Sequence, residues 1–298
     1  MSEHPESPAE PAAEPEPEPG TGSGNPITPG SQASFGTYRH QPVSFVRRGT
    51  RLQGRRQQAW EEHSSAFLVD VPRHVADTSV HPDYVFDAAA EFGREAPLVV
   101  EIGSGLGEAI VAAAEANPER NFLAVEVYRP GLANTLLRIG QRGLTNVRVV
   151  QANAPEVLGT MLAAGSVAEL WVFFPDPWHK TKHHKRRLVK DSFAELAARV
   201  LAPGGLWRLA TDRSGYAQQM RDVVAASPDF RNAHDGERAG AASPLTAAWA
   251  SGVDCEPTGQ ADDAGGWAPR FEGRVLTSFE NKALKAGRVI FDLEAVRL

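Results

Sequence analysis

The chain of 298 residues contains a single cysteine, Cys255. That excludes an internal disulfide and a metal site built on paired thiolates. A lone thiol suits a reducing compartment, and a cytoplasmic location is the expectation. No run of 18 or more apolar residues occurs, so no membrane-spanning helix is expected. The first residues lack the basic-then-apolar order of a secretory signal. No G-x-S-x-G elbow is present to suggest a serine nucleophile. Residues 1–30 contain no lysine or arginine but six glutamates: Glu3, Glu6, Glu10, Glu14, Glu16 and Glu18. Removing these from the 37 acids leaves 31, against 31 bases, so the net charge of −6 resides in that stretch alone. Local clusters, not the global balance, therefore carry information about partners.

Residues 1–34 are mostly Pro, Glu, Ala, Gly and Ser and are expected to form a disordered acidic tail. Residues 35–75 are expected to form a basic segment packing on the core. Its arginines are Arg39, Arg47, Arg48, Arg51, Arg55 and Arg56, with no acid until Glu61. A plain surface or a second phosphate-facing patch both fit this stretch.

Residues 76–298 read as one α/β domain. Strand-like runs (LVVEI at 98–102, NFLAVEV at 121–127, NVRVV at 146–150, AELWVFF at 168–174, LWRLAT at 206–211) alternate with helical patterns at 108–116, 129–143, 191–201 and 215–226. This alternation predicts right-handed crossovers and a mostly parallel sheet with helices on both faces. Residues 233–270 are loop-like and are expected to be a flexible insertion. The stretch 273–296 then predicts a helix and a last strand, or a hairpin.

VVEIGSGLGEA is a strand, a glycine turn and a helix start, where backbone can approach a ligand closely. Its glycines run G-x-G-x-G (Gly103, Gly105, Gly107), not the dinucleotide G-x-G-x-x-G. Glu101 precedes them, awkward beside a pyrophosphate but suited to the sulfonium and ammonium of S-adenosylmethionine. Glu126 closes the second strand, where an acid commonly takes ribose hydroxyls. Asn153 follows the third strand and either pairs with an adenine edge or serves a turn.

FFPDPWHKTKHHKRR (173–187) follows the fourth strand. Asp176, stiffened by two prolines, is placed at the mouth of the site, and Trp178 offers a face for stacking. Lys180, Lys182, Lys185, Arg186, Arg187 and Lys190 follow, interleaved with His179, His183 and His184. A polyanion explains this run; the histidines lack the partners a zinc site needs, and no metal is expected.

These residues resemble the bacterial tRNA (guanine-N7)-methyltransferases over about residues 60–298, outside 233–270. EIGSGLGE, FFPDPWHKTKHHKRR, ATDRSGYAQQM and LTSFENKALKAG look like that family's motifs. The resemblance implies a Rossmann-like fold with a seven-stranded sheet, S-adenosylmethionine as methyl donor, and N7 of guanine 46 in the tRNA variable loop as acceptor. It puts cofactor binding on Glu101, Gly103, Gly105, Glu126, Asn153 and Asp176, with Asp176 also catalytic. Substrate contacts fall on Lys180, Asp212, Thr277, Ser278, Phe279 and Glu280. RNA binding falls on Lys182, His183, His184, Lys185, Arg186 and Arg187. The third cofactor position is commonly Asp in the family and is Asn153 here. Besides Asn153, structural alternatives remain for Asp176 as an Asx-type turn beside a packed indole, for Asp212 as a helix N-cap, and for Thr277 with Glu280 as a capping box. Two rival readings are a methyltransferase of another nitrogen and an RNA-binding protein without turnover. A dehydrogenase is disfavoured by the glycine spacing. The sequence leaves the oligomeric state, monomer or homodimer, open.

Overall fold

The computed structural model describes residues 51–255 and 258–298. The acidic tail and Arg39, Arg47 and Arg48 lie outside the described residues.

Strand β1 (Leu98–Ile102) is buried at all five positions, including its one charged residue, Glu101. Burial on both faces marks a central parallel strand. It pairs in parallel with β2 (Asn121–Glu126) on one side and β4 (Val167–Phe173) on the other. Beyond them lie β3 (Val147–Gln151) and β5 (Leu201–Thr211), also parallel. The last strand, β7 (Phe291–Arg297), enters antiparallel between β5 and the short β6 (Phe230–Asn232). The seven-stranded order is β3-β2-β1-β4-β5-β7-β6. The chain winds outward from β1 to β3, then returns to β4 and winds the other way. The carboxyl ends of β1 and β4 therefore flank the crevice where such sheets bind ligands.

Helices cover the sheet: α1 (Arg55–Phe67), α2 (Ala88–Phe92), α3 (Glu108–Ala116), α4 (Arg129–Arg142), α5 (Ala154–Glu156), α6 (Asp191–Val200), α7 (Ser214–Ala226), α8 (Pro244–Ser251) and α9 (Ser278–Lys285). Among the described residues none is long and apolar enough to cross a membrane. α1 lies along α4, with the Arg129 guanidinium 4.4 Å from the Trp60 ring centroid.

Two features differ from the sequence expectation. β5 starts at Leu201, five residues early, because Val167 pairs with Leu201 before the register slips around Pro203 and Gly204. The stretch 233–270, expected as a loop, carries α8 and a buried polar knot. Asp262 accepts from Arg221 at 2.9 and 3.0 Å, Ser243 Oγ at 2.7 Å and Trp267 Nε1 at 2.7 Å. These bonds hold the Asp262 carboxyl below its usual range against the opposing pull of burial. Polar residues read as loop because the partner, Arg221 on α7, is 41 positions away.

Candidate active site

A cavity of about 310 Å³ opens beyond the carboxyl ends of β1, β2 and β4. Glu101, Gly103, Gly105, Glu126, Asn153 and Asp176 all line it, as do Phe174, Trp178, Thr277 and Phe279.

The glycine turn is fastened by Glu126. Its Oε2 accepts from Gly105 N at 2.9 Å, and its Oε1 accepts from Val127 N at 2.7 Å and Tyr128 N at 2.9 Å. One carboxylate thus ties the turn to the start of α4 and retains acceptor capacity on Oε2. Gly105 has φ 56°, which costs other residues strain. Gly131, in the first turn of α4, must also be glycine: a Cβ there would sit 2.3 Å from Gly105 O. The sequence reading passed over Gly131, since a glycine after Arg-Pro reads as an ordinary helix start.

Glu101 is 4% exposed, and among the described residues its Oε2 has no hydrogen-bond partner. Burial pushes this carboxyl up to about 8. The nearby Glu126 charge adds to the rise, while a backbone hydrogen bond and Arg274 oppose it. Burial raises the Glu126 carboxyl too; its three backbone hydrogen bonds oppose that rise, and Asp176 adds to it. A buried, unpartnered carboxylate oxygen beside two further acids is a site short of positive charge. A sulfonium and an ammonium supply that charge, so these residues fit S-adenosylmethionine; a pyrophosphate would worsen the imbalance.

Asp176 is exposed at the cavity mouth. The backbone on either side is left-handed at two bulky residues, Phe174 (φ 53°) and Trp178 (φ 46°). Non-glycine residues hold such angles only where their surroundings over-determine them. Here Phe174 N donates to Ala210 O at 2.8 Å, and Arg187 Nε donates to Pro177 O at 2.9 Å.

Arg187 corrects the expectation that it grips RNA. It is 6% exposed. Its other nitrogens reach Gly215 O at 3.0 Å, Gln219 Oε1 at 2.9 Å and His184 Nε2 at 3.1 Å, and its guanidinium stacks over Tyr216. This arginine braces the Asp176 loop, and His184 is its acceptor. Lys180, Lys182 and Lys185 are exposed, on or just before a 3-10 turn (Thr181–Arg186). Arg186 and His183 pack against Trp178, at 5.0 and 6.0 Å, and the indole also lines the cavity.

The expected substrate contacts divide. Phe279 is 53% exposed and lines the cavity. Thr277 lines it too, and its hydroxyl caps α9 by accepting from Glu280 N at 3.2 Å. Glu280 does not reach for a ligand: it is 1% exposed and holds Arg270 at 2.6 and 2.9 Å and Arg274 at 3.2 and 3.3 Å. Those arginines hold its carboxyl below its usual range despite burial. Arg274, fully buried, also donates to Asp292 at 2.5 and 3.1 Å and stacks over Phe173 and Phe174. Ser278 donates from N and Oγ to Glu108 Oε2, at 2.7 and 2.8 Å, pinning α9 to the first turn of α3. Asp212 does not cap α7. It accepts from Arg288 at 2.6 Å, while Asp254, 40 residues along, accepts from Ser214 N at 2.7 Å. Neither Arg274 nor Asp254 carried a sequence signal, because Asp292 and Ser214 lie 18 and 40 positions away.

Sheet order, glycine turn and acid-lined cavity together define the Rossmann-like fold of the S-adenosylmethionine-dependent methyltransferases. The family described as "Putative methyltransferase" matches residues 95–250. A protein of Arthrobacter sp. (strain FB24), named tRNA (guanine-N(7)-)-methyltransferase, is 65% identical over 98% of both chains. One of the same name from Paenarthrobacter aurescens (strain TC1) is 61% identical over 98% of both. A third, from Bifidobacterium longum (strain NCC 2705), is 46% identical over 85% of this chain and 87% of its own. The chain belongs to the tRNA (guanine-N7-)-methyltransferase family.

Proposed function

We propose that the protein transfers a methyl group from S-adenosylmethionine to N7 of a guanine in tRNA, guanine 46 of the variable loop. The observation that carries this reading is the shared cavity. The unpartnered Glu101 Oε2 lies at its base and Asp176 at its mouth, with an exposed basic turn immediately after. The names of the relatives support the acceptor.

Glu101 would answer the positive charge of the cofactor, Glu126 Oε2 would take a ribose hydroxyl, and the Asn153 amide would pair with the adenine. S-adenosylmethionine, when bound, supplies a methyl group made electrophilic by its sulfonium. Guanine N7 has a lone pair and no proton to lose, so the site needs no general base. Alignment is the main contribution of the protein. The braced Asp176 loop accepts from guanine N–H donors and offsets the positive charge that methylation places on the base. Phe279 and Phe174 exclude water from the mouth. Lys180, Lys182, Lys185 and Arg186 bind phosphates.

The test is incubation with methyl-labelled S-adenosylmethionine and an unmodified tRNA transcript, followed by nuclease digestion and mass spectrometry. The expected product is 7-methylguanosine at position 46. Label on another atom, or none, would overturn the proposal.

A further inference from the structure

We infer a second basic surface, made by Arg51, Arg55, Arg56 and Arg129, that grips the phosphate backbone of the same tRNA across the cavity from the Lys180–Arg186 turn. It rests on the reading of tRNA as substrate. All four arginines are exposed, and among the described residues none has a carboxylate within ion-pair distance. Of the nearest acids in sequence, Glu61 accepts from Gln57 at 2.5 Å, and Glu62 is paired with none of the four arginines.

Folding accounts for one of these charges, Arg129, which stacks on Trp60, and for none of the other three. Arg55 and Arg56 open α1 and Arg129 opens α4; both helices lack an acid in the first turn and a side-chain cap. Cations at that end oppose the helix dipole. A polyanion reverses the sign of the term, since phosphates favour both the arginines and the dipole.

Arg51, Arg55 and Arg56 are close in the chain, and α1 carries them toward Arg129. Arg56 precedes Trp60 by one helical turn and shares its face. The guanidinium of Arg129 lies 4.4 Å over that indole, joining α1 to α4. Arg129 is two residues from Gly131, which abuts the glycine turn at Gly105. The surface therefore borders the cavity from the β2 side, while the Lys180–Arg186 turn follows β4, on the other side of β1. Between them the cavity carries Glu101, Glu126 and Asp176 on its walls, with Arg186, Arg187 and Lys190 lining its β4 side. A phosphate beside Glu126 and Asp176 is disfavoured and a neutral base is not. Two cationic flanks around that hollow suit an RNA whose backbone runs outside while one base turns in.

The test uses the full chain, wild type against the triple variant Arg51→Ala/Arg55→Ala/Arg56→Ala and its Arg→Lys counterpart. Affinity for an unmodified tRNA transcript is measured across a potassium chloride series, with S-adenosylmethionine affinity by calorimetry and kcat at saturating tRNA. The alanine variant is expected to lose at least about tenfold in tRNA affinity at low salt. Its salt slope should flatten by roughly two units, at about 0.7–0.9 per lost phosphate contact. Cofactor affinity and kcat should stay at wild-type values, and lysines should restore the slope. An unchanged slope and affinity would overturn the surface, as would a loss that appears in cofactor affinity and kcat instead. If the wild type itself does not methylate the transcript, the proposed function fails, which separates the two results.

Discussion

Arg187 donates from Nε to the carbonyl oxygen of Pro177 at 2.9 Å, the residue directly after Asp176. A side chain in a run that reads as RNA-binding is thus turned inward to hold the acidic loop. The same residue spans to α7 through Gly215 and Gln219, so the loop is referenced to the rigid sheet layer. Its strain at Phe174 and Trp178 is sustained by such anchors.

Arg187→Ala should therefore behave differently from substitutions at Lys182 and Lys185. We expect it to cost about 2–4 kcal/mol of stability, as loss of a buried, multiply bonded cation does. Thermal denaturation checks this. Lys182→Glu with Lys185→Glu should leave the melting temperature within about 1–2 °C while cutting tRNA affinity and flattening its salt dependence.

Arg274 joins Glu280 on α9 to Asp292 on β7 and stacks on the residues that lead into the Asp176 loop. Replacing it with methionine leaves the buried Asp292 without its cation and Glu280 with Arg270 alone. The expected loss is about 3–5 kcal/mol, read from denaturant unfolding. The double change Arg274→Met/Glu280→Gln should recover part of it.

Gly131→Ala places a methyl group against Gly105 O. The turn must shift, and S-adenosylmethionine affinity should fall at least about tenfold with little change in helix content. Calorimetry and circular dichroism measure the two. Wild-type affinity would mean that α4 yields instead of the turn.

Glu101 gives a pH signature. Its carboxyl lies near 8 in the cofactor-free protein, above the ordinary 4.5. Between those values the folded state holds a proton that the unfolded state has released, so this group makes the empty protein less stable as pH rises from about 4.5 to 8. A cationic cofactor favours the ionised form. Binding should then release up to one proton at pH 7, and affinity should rise with pH and level off above about 8. Calorimetry in buffers of different ionisation enthalpy reads the proton directly. Glu101→Gln should bind about 10–100-fold more weakly and without the pH dependence.

The βαβ core and the cofactor end were legible because their signals are local: LVVEI before a glycine turn, and an acid at the end of the next strand. The Asp176 loop was legible because two prolines around a carboxylate suit neither strand nor helix. What escaped is pairing across long separations. The insertion of β7 between β5 and β6, the hold of Arg274 on Asp292, the capping of α7 by Asp254 and the tie of Arg221 to Asp262 each join residues 18 to 90 positions apart. No periodicity encodes such partners. Glu280 and Arg187 were misread for the same reason: a charged side chain in a motif looks available until its buried counterpart is seen.

The most direct test of the account compares wild type with Asp176→Asn. S-adenosylmethionine affinity is measured by calorimetry, and the single-turnover rate on tRNA at saturating enzyme and cofactor. The account predicts that the variant binds the cofactor within about tenfold of wild type, while the rate of 7-methylguanosine formation falls at least about a hundredfold. A variant that forms 7-methylguanosine at the wild-type rate would contradict it.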